Sequence, residues 1–350
     1  MTAIATDAAR PKITAVTCVK NEGPFLLEWI AFNRVIGVTD FLFYSNDCTD
    51  ATDRILDRLE EMGLVTHLPN PAQSRNFQME ALKDAAHQPV VTGADWVWIA
   101  DVDEFLNIHV GTGTIPELIE ACGAPAAISV SFQFFANNGV ERFEDRPVIE
   151  QFTRSHDPDI WCAETAQEVK TLIHKDLPVK YFGAHRPFLK DRFAKDKAFR
   201  WTDGAGRDVP WRFRQAAIKR RMRKFLAKGA RRFATLNHYA LRSLDSYLVK
   251  NARGDVNREG RSFDDTYWRE RNDPAWKDTS ILRYLPRLQA ELKRLKQDLH
   301  LAALHEEAVW AHRAARDRLL AQPGYLELTE RLKDLPHESP AELALKELIA

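Results

Sequence analysis

The sequence predicts an α/β fold: a mostly parallel open sheet flanked by helices, followed by a helical C-terminal extension. Three observations predict it. Short apolar runs alternate with helical stretches between residues 13 and 135, the pattern of βαβ units. Three of the runs end in polar clusters, Asn21-Glu22, Asn46-Asp47 and Asp101/Asp103. In an open α/β sheet, ligands bind beyond the carboxyl ends of the strands. Past about residue 280 the chain is rich in leucine and charge with helical bias, ending in PAELALKELI.

Taken in order, Ile13–Val19 is a nearly continuous apolar, partly β-branched run, as a buried parallel strand reads. The turn Lys20-Asn21-Glu22-Gly23-Pro24 ends it. A helix starts near Pro24, which suits a first helical turn, carries Leu26, Leu27, Ile30 and Ile36, and stops at Gly37. Phe41–Tyr44 is a second strand. The next helix has Ile55, Leu59 and Met62 on one face, with Gly63 as its cap. Leu64–Leu68 is a third strand, broken by Pro69-Asn70-Pro71. Arg75–His87 reads as a helix, Trp96–Ala100 as a fourth strand, Ile115–Ala121 as a helix and Ile128–Phe135 as a strand. Residues 140–210 read as loops with short strands, and 211–233 as a basic helix.

Composition excludes several classes. The 350 residues are 45% hydrophobic and 29% charged, ordinary for a packed protein, with 50 Lys+Arg against 50 Asp+Glu. The chain as a whole has no electrostatic claim on nucleic acid. Cys18, Cys48, Cys122 and Cys162 form no CxxC pair, so neither a zinc site nor a disulfide framework is indicated, and they read as thiols of a reducing cytoplasm. The first ten residues lack the apolar core of a signal peptide, and no apolar run is long enough to span a bilayer. A cytoplasmic location is expected, with at most peripheral contact at the inner face of a membrane. No GxGxxG follows the first strand, which argues against a dinucleotide-dependent dehydrogenase, and KNEGP is not the Gly-rich loop of a nucleotidyltransferase.

The chemistry centres on Asp101-Val102-Asp103. If the backbone stays extended after the fourth strand, both carboxylates leave the same face. Two convergent carboxylates hold a hard cation such as Mn²⁺ or Mg²⁺, which neutralises a departing diphosphate. A second triplet, Asp157-Pro158-Asp159, has no apolar strand before it and is read as a chance match.

The segments VTCVKNEGPFLLEWIAFNRVIGVTDFLFYSNDCTDAT and ADWVWIADVDEFL, with LNHYALRSLDSYLVKNARG later, resemble glycosyltransferase family 2 in its GT-A fold. They are closest to a "KNE … DVDEF" subgroup that also resembles glycosyltransferase family 92. The resemblance covers roughly residues 12–255, taken as the GT-A domain, with 256–350 as the helical extension. It implies an inverting, metal-dependent transfer of a sugar from a nucleotide-sugar donor to a hydroxyl of a polysaccharide, lipid-linked glycan or similar acceptor. Asp103 would be the metal ligand and Asp101 would face the ribose or the metal shell. His238 would lie near the metal or diphosphate. Asn21, Glu22, Asn46 and Asp47 would line the nucleotide pocket, and Lys250 and Arg253 would meet phosphate. Gln78 and His185 are further substrate-binding candidates.

Each of these has a plainer alternative. Glu22 can simply cap the helix beginning near Pro24. His238 can be a packed histidine beside Tyr239. An inverting displacement needs a base, and Glu141, Glu144 and Asp145, after the turn Asn137-Asn138-Gly139, are the candidates, with Glu141 taken first, though each also reads as a surface charge. Residues 211–233 interleave ten Lys/Arg with Trp211, Phe213, Met222, Phe225 and Phe233, so an amphipathic helix there could rest on anionic membrane. The non-enzymatic rival is a GT-A-like protein that binds polyanions or membrane through that helix.

Overall fold

The computed structural model describes residues 10–73, 76–158, 164–190, 198–214, 222–254, 265–335 and 348. The strands are β1 (Ile13–Val19), β2 (Asp40–Ser45), β3 (Thr66–Pro69), β4 (Trp96–Ile99), β5 (Glu104–Ile108), β6 (Ala127–Phe134), β7 (Arg154–Ser155), β8 (Val169–His174), β9 (Val179–Tyr181), β10 (Phe188–Leu189), β11 (Trp201–Asp203), β12 (Ala234–His238) and β13 (Trp276–Lys277). The main helices are α1 (Gly23–Val35), α2 (Thr52–Glu61), α3 (Phe77–Ala85), α4 (Ile115–Ala121), α5 (Leu244–Arg253), α6 (Asp265–Arg271), α7 (Leu285–Leu295), α8 (Leu299–Leu320) and α9 (Pro323–Asp334).

The large sheet runs β3-β2-β1-β4-β8-β6-β12-β5, with β11 also on β6. β1 is parallel to both β2 and β4, and β6 is parallel to β11 and β12. The antiparallel members are β8, wedged between β4 and β6, and β5, on β12. The expected α/β class with a mostly parallel sheet is what the chain adopts.

Helix α1 buries every residue from Gly23 to Asn33. A helix apolar all round must be covered all round. The sheet covers one side, and α7 and α8 cover the other: Leu288, Leu295, Leu301, Leu304 and Ala308 join the same buried cluster as Trp29, Ile30 and Phe32. A Cβ on Gly23 would lie 2.7 Å from Ala308 Cβ, so α8 crosses close to the backbone at the start of α1. The last helical segment expected from the sequence, 340–349, lies outside the described residues apart from Leu348.

Two readings are corrected. Beyond Met222 the basic stretch is not a helix; the described residues run through a bridge at Lys224 and turns to Phe233. Phe213 and Phe225 are buried and pack edge-to-face at 5.0 Å. They lie twelve positions apart, a spacing no single helical stripe requires. The second correction concerns the backbone after β4. It does not stay extended: the Glu104 N–H donates to the Asp101 carbonyl at 3.0 Å, closing a turn that leads directly into β5.

Candidate active site

The turn after β4 faces a cavity of about 240 Å³ at the carboxyl end of the parallel strands. It is lined by Cys18, Lys20 and Glu22 from the end of β1, Gln78 from α3, Asp101–Asp103, His185, His238 at the end of β12, and Lys250, Arg253, Gly254 and Tyr267. Eight of the residues singled out from the sequence therefore meet here: Glu22, Gln78, Asp101, Asp103, His185, His238, Lys250 and Arg253.

The turn itself is held from below. Glu104 accepts the Asp101 backbone N–H at 2.9 Å, and its side chain, 1% exposed, pairs with Lys170 at 3.2 Å. Lys170, the second residue of β8 and also 1% exposed, donates to Asp101 Oδ2 at 3.0 Å. Burial alone would lower the Lys170 ammonium, but Asp101 and Glu104 outweigh it and hold it charged. Burial drives the Glu104 carboxyl well above the ordinary range, with Lys170 opposing. Gln78 donates to the other Asp101 oxygen at 3.1 Å. Asp101, at 41% side-chain exposure, keeps an open edge toward the cavity.

Asp103 is nearly enclosed. Its Oδ2 takes a 2.7 Å bond from Lys250, and its Oδ1 lies 3.5 Å from His238 Nε2. Burial opposes its charge, yet Lys250 and His238 together hold the carboxyl well below the usual range. Burial lowers His238, with Asp103 working against it. Its Nδ1 is buried without a hydrogen-bond partner among the described residues.

Glu22 does not cap α1; no side-chain cap bond forms there, and Asp50 receives the Gly23 N–H instead, at 3.1 Å. The Glu22 carboxylate is clamped by Arg242 at 2.9 Å and Arg253 at 2.7 Å. These guanidinium groups outweigh burial and keep it ionised. Arg253 also donates to the carbonyls of Lys20 and Asn21, tying α5 to the end of β1.

The other candidates lie elsewhere. Asn21 accepts the Thr49 N–H at 2.7 Å and faces a separate groove with Trp310 of α8. Asn46 and Asp47 do not line the cavity; Asp47, largely exposed, pairs with Lys20 at 3.3 Å. Glu141 is turned away and pairs with Lys333 of α9 at 3.0 Å. Asp157 is not among the lining residues, and Asp159 lies outside the described residues, as does Cys162. The other three cysteines are free thiols.

Sequence reasoning missed Lys170, the supporting role of Glu104, and Arg242. A lysine inside the β-branched run Val169–Ile173 was the available signal for the first, since lysine is almost never fully buried unpaired. Arg242 occupies the basic position of the segment HYALRS.

Asp103, Glu104 and His238 each offer a ligand atom within 4.8 Å of the others. Two carboxylates and an imidazole suit a divalent cation. Glu104 is engaged by Lys170 and the Asp101 N–H, and Asp103 by Lys250, so either carboxylate would share its partner with the ion.

Residues 14–198 match the sequence profile of Glycosyltransferase family 92. The chain belongs to glycosyltransferase family 92. Similar proteins include family 92 members from Ricinus communis, 29% identical over 99 residues, and Oryza sativa subsp. japonica, 28% identical over 107 residues. These matches cover 27% and 29% of this chain and 17% of each relative's own length. Among solved structures, S. aureus TarS 1–349 aligns over 96% of this chain and 91% of its own, at 9% identity and a TM-score of 0.32. Glucosyl-3-phosphoglycerate synthase from Mycobacterium tuberculosis, crystallised with Mn²⁺, UDP and glucosyl-3-phosphoglycerate, aligns over 48% of this chain and 58% of its own, at 16% identity and a TM-score of 0.26. The family 92 match takes in β1, the turn after β4 and Lys170. It stops before β12, α5 and Arg242, which complete the cavity.

Proposed function

We propose that this family 92 member transfers a sugar from a nucleotide-sugar donor to a hydroxyl acceptor, with a divalent metal at the Asp103 turn. The observation that carries the reading is the convergence of Asp101, Asp103 and His238 with Lys250 and Arg253 on one cavity at the carboxyl ends of the strands. Asp103 and His238 would hold Mn²⁺ or Mg²⁺, which supplies charge neutralisation to the departing diphosphate. Lys250 and Lys20 add fixed positive charge toward the same phosphates. Asp101, anchored by Lys170 and Gln78, presents its open edge to the ribose or to the metal's remaining ligands. Glu22 and its two arginines form the wall on the β1 side.

Inversion at the anomeric carbon rests on the sequence resemblance, and proton NMR of the first-formed product anomer tests it. Glu141, paired on the far side with Lys333, has no part in this reading. The cytoplasmic, membrane-peripheral location belongs to the proposal too: exposed Trp211 and Leu226 stand beside Arg212 and Lys224, and co-sedimentation with anionic vesicles tests it.

The direct test is donor hydrolysis across a panel of nucleotide-sugars, with Mn²⁺, with Mg²⁺ and with EDTA. Turnover is expected with one donor only when metal is present, and Asp103→Asn should lose nearly all of it. Equal turnover in EDTA, or by Asp103→Asn, contradicts the metal assignment.

A further inference from the structure

Every carboxylate that lines the cavity already has a cation beside it. Glu22 has Arg242 and Arg253, Asp101 has Lys170, and Asp103 has Lys250. Affinity for a free divalent ion rises with the uncompensated charge of its ligands. Here the charge at the metal position is compensated by Lys250. Its ammonium donates to Asp103 Oδ2 at 2.7 Å and to the Ala240 carbonyl at 2.9 Å. It stands 5.9 Å from the centre of the Tyr267 ring, and the side chain is only 16% exposed, so little water screens it. Burial works against that charge, yet Asp103 outweighs it and holds the ammonium above its ordinary value.

An ion held by Asp103 and His238 would share one carboxylate with that ammonium. Two positive charges on one carboxylate oppose each other, and the more so where little water lies between them. The helix that carries Lys250 is fixed at both ends. Ser243 caps it by accepting the Ser246 N–H at 3.2 Å, and Arg253 in its last turn donates to the carbonyls of Lys20 and Asn21. The ammonium itself, on a flexible four-carbon stem, can turn without moving the helix. A second anion gives it somewhere to turn. A diphosphate offers oxygens both to the ion and to Lys250 and Arg253, which line the same cavity. An ion neutralised by a diphosphate also escapes the repulsion that a bare ion meets.

We infer that Lys250 makes metal binding conditional on the nucleotide: it guards Asp103 against a free divalent ion and yields the carboxylate when a diphosphate arrives with the ion. The inference rests on the reading of Asp103 and His238 as metal donors. By linkage, nucleotide raises the affinity for metal by the same factor by which metal raises the affinity for nucleotide. Much of that factor should disappear with the charge of the lysine. Lys250→Gln removes the charge and keeps an N–H donor for Asp103 or for the Ala240 carbonyl, and Lys250→Arg keeps the charge.

The experiment follows free Mn²⁺ by electron paramagnetic resonance as the ion is titrated into the full chain. It is run with Mn²⁺ alone and with UDP, GDP, CDP or ADP, each corrected by a titration without protein. The parent should bind Mn²⁺ at least about tenfold more tightly with one of the nucleotides than alone. Lys250→Gln should bind Mn²⁺ alone at least about tenfold more tightly than the parent, and Lys250→Arg should not. Adding Asp103→Asn to Lys250→Gln should abolish the gain, which places it at Asp103. Circular dichroism checks that the variants fold, and the parent titrations test the inference even if Lys250→Gln does not. A parent that binds Mn²⁺ alone as tightly as with every nucleotide overturns the inference and leaves the metal reading standing. So does a folded Lys250→Gln that gains nothing, or a gain shared by Lys250→Arg. If no nucleotide brings Mn²⁺ to the parent and Lys250→Gln does not bind it either, the metal reading falls and this inference with it.

Discussion

At the scale of single residues, Lys170 organises the site without touching its open face. It is enclosed between Asp101 and Glu104 in the middle of the sheet, and its ammonium is what lets two acids sit side by side under the turn. Lys170→Met should therefore destabilise the protein by about 3 kcal/mol, because it leaves an uncompensated buried carboxyl. Lys170→Met with Glu104→Gln should recover part of that loss, and urea unfolding of the two variants measures both. An unchanged midpoint in the single variant contradicts the role given to Lys170. Asp101 and Asp103 were legible in the sequence because an apolar strand runs straight into them. Their geometry was not: whether the backbone turns after Ala100 depends on Glu104 and Lys170, and the lysine is sixty-seven positions from Asp103. Glu22 was legible as a pocket residue with helix capping as the alternative, but the clamp that holds it was not, since its partners Arg242 and Arg253 come more than two hundred residues later.

At the scale of elements, helix α8 is fixed by His312, which shares a hydrogen bond with Ser246 at 3.2 Å and packs against the rings of Phe25 and Phe143. Burial lowers His312 to about 3 from 6.5, with Arg242 also lowering it, Glu22 opposing, and Arg253 and Arg316 lowering it further. The sign follows directly. The folded state holds the ring neutral while the unfolded chain takes a proton near 6.5, so this residue's contribution is complete above that pH and is lost as pH falls toward 3. Below pH 6.5 it should cost about 1.4 kcal/mol per pH unit. His312→Gln keeps a hydrogen-bonding group for Ser246 without titrating. Urea unfolding of parent and variant between pH 7 and 5 should give a shallower decline for the variant, and parallel declines would refute the assignment. The βα units of the first half were readable from period and caps; Gly63, at φ +69°, closes α2 as its position implied. β8 was not readable, because a paired lysine interrupts its apolar alternation. Nor was β5, because it begins within the acidic turn. The basic stretch misled for a related reason. Its aromatics looked like one helix face, yet Phe213 and Phe225 enter the core from two separate segments.

At the scale of the molecule, the C-terminal helices share the core of the strands they follow. Ile281, Tyr284, Leu288, Leu295 and Leu301 are fully buried in the cluster built on α1. At about 1.5–3 kcal/mol for each large apolar side chain, removing these five costs about 8–15 kcal/mol, as much as the roughly 5–15 kcal/mol that stabilises a typical domain. A chain ending at residue 255 should therefore fail to unfold cooperatively in urea; a cooperative transition with the parent's midpoint would show that the region beyond is dispensable. The sequence indicated helices there but not where they dock, because α1 gives no apolar stripe to mark a second buried side. The central claim is that the two halves of this core together present a metal-assisted diphosphate site. It is tested most directly by isothermal titration of UDP, GDP, CDP and ADP into the full chain, with Mn²⁺ and with EDTA, for the parent and Asp103→Asn. One nucleotide should bind the parent at least about tenfold more tightly with Mn²⁺, and the variant should lose that gain. Binding that is equally tight in EDTA, or equally metal-dependent in Asp103→Asn, would contradict the account.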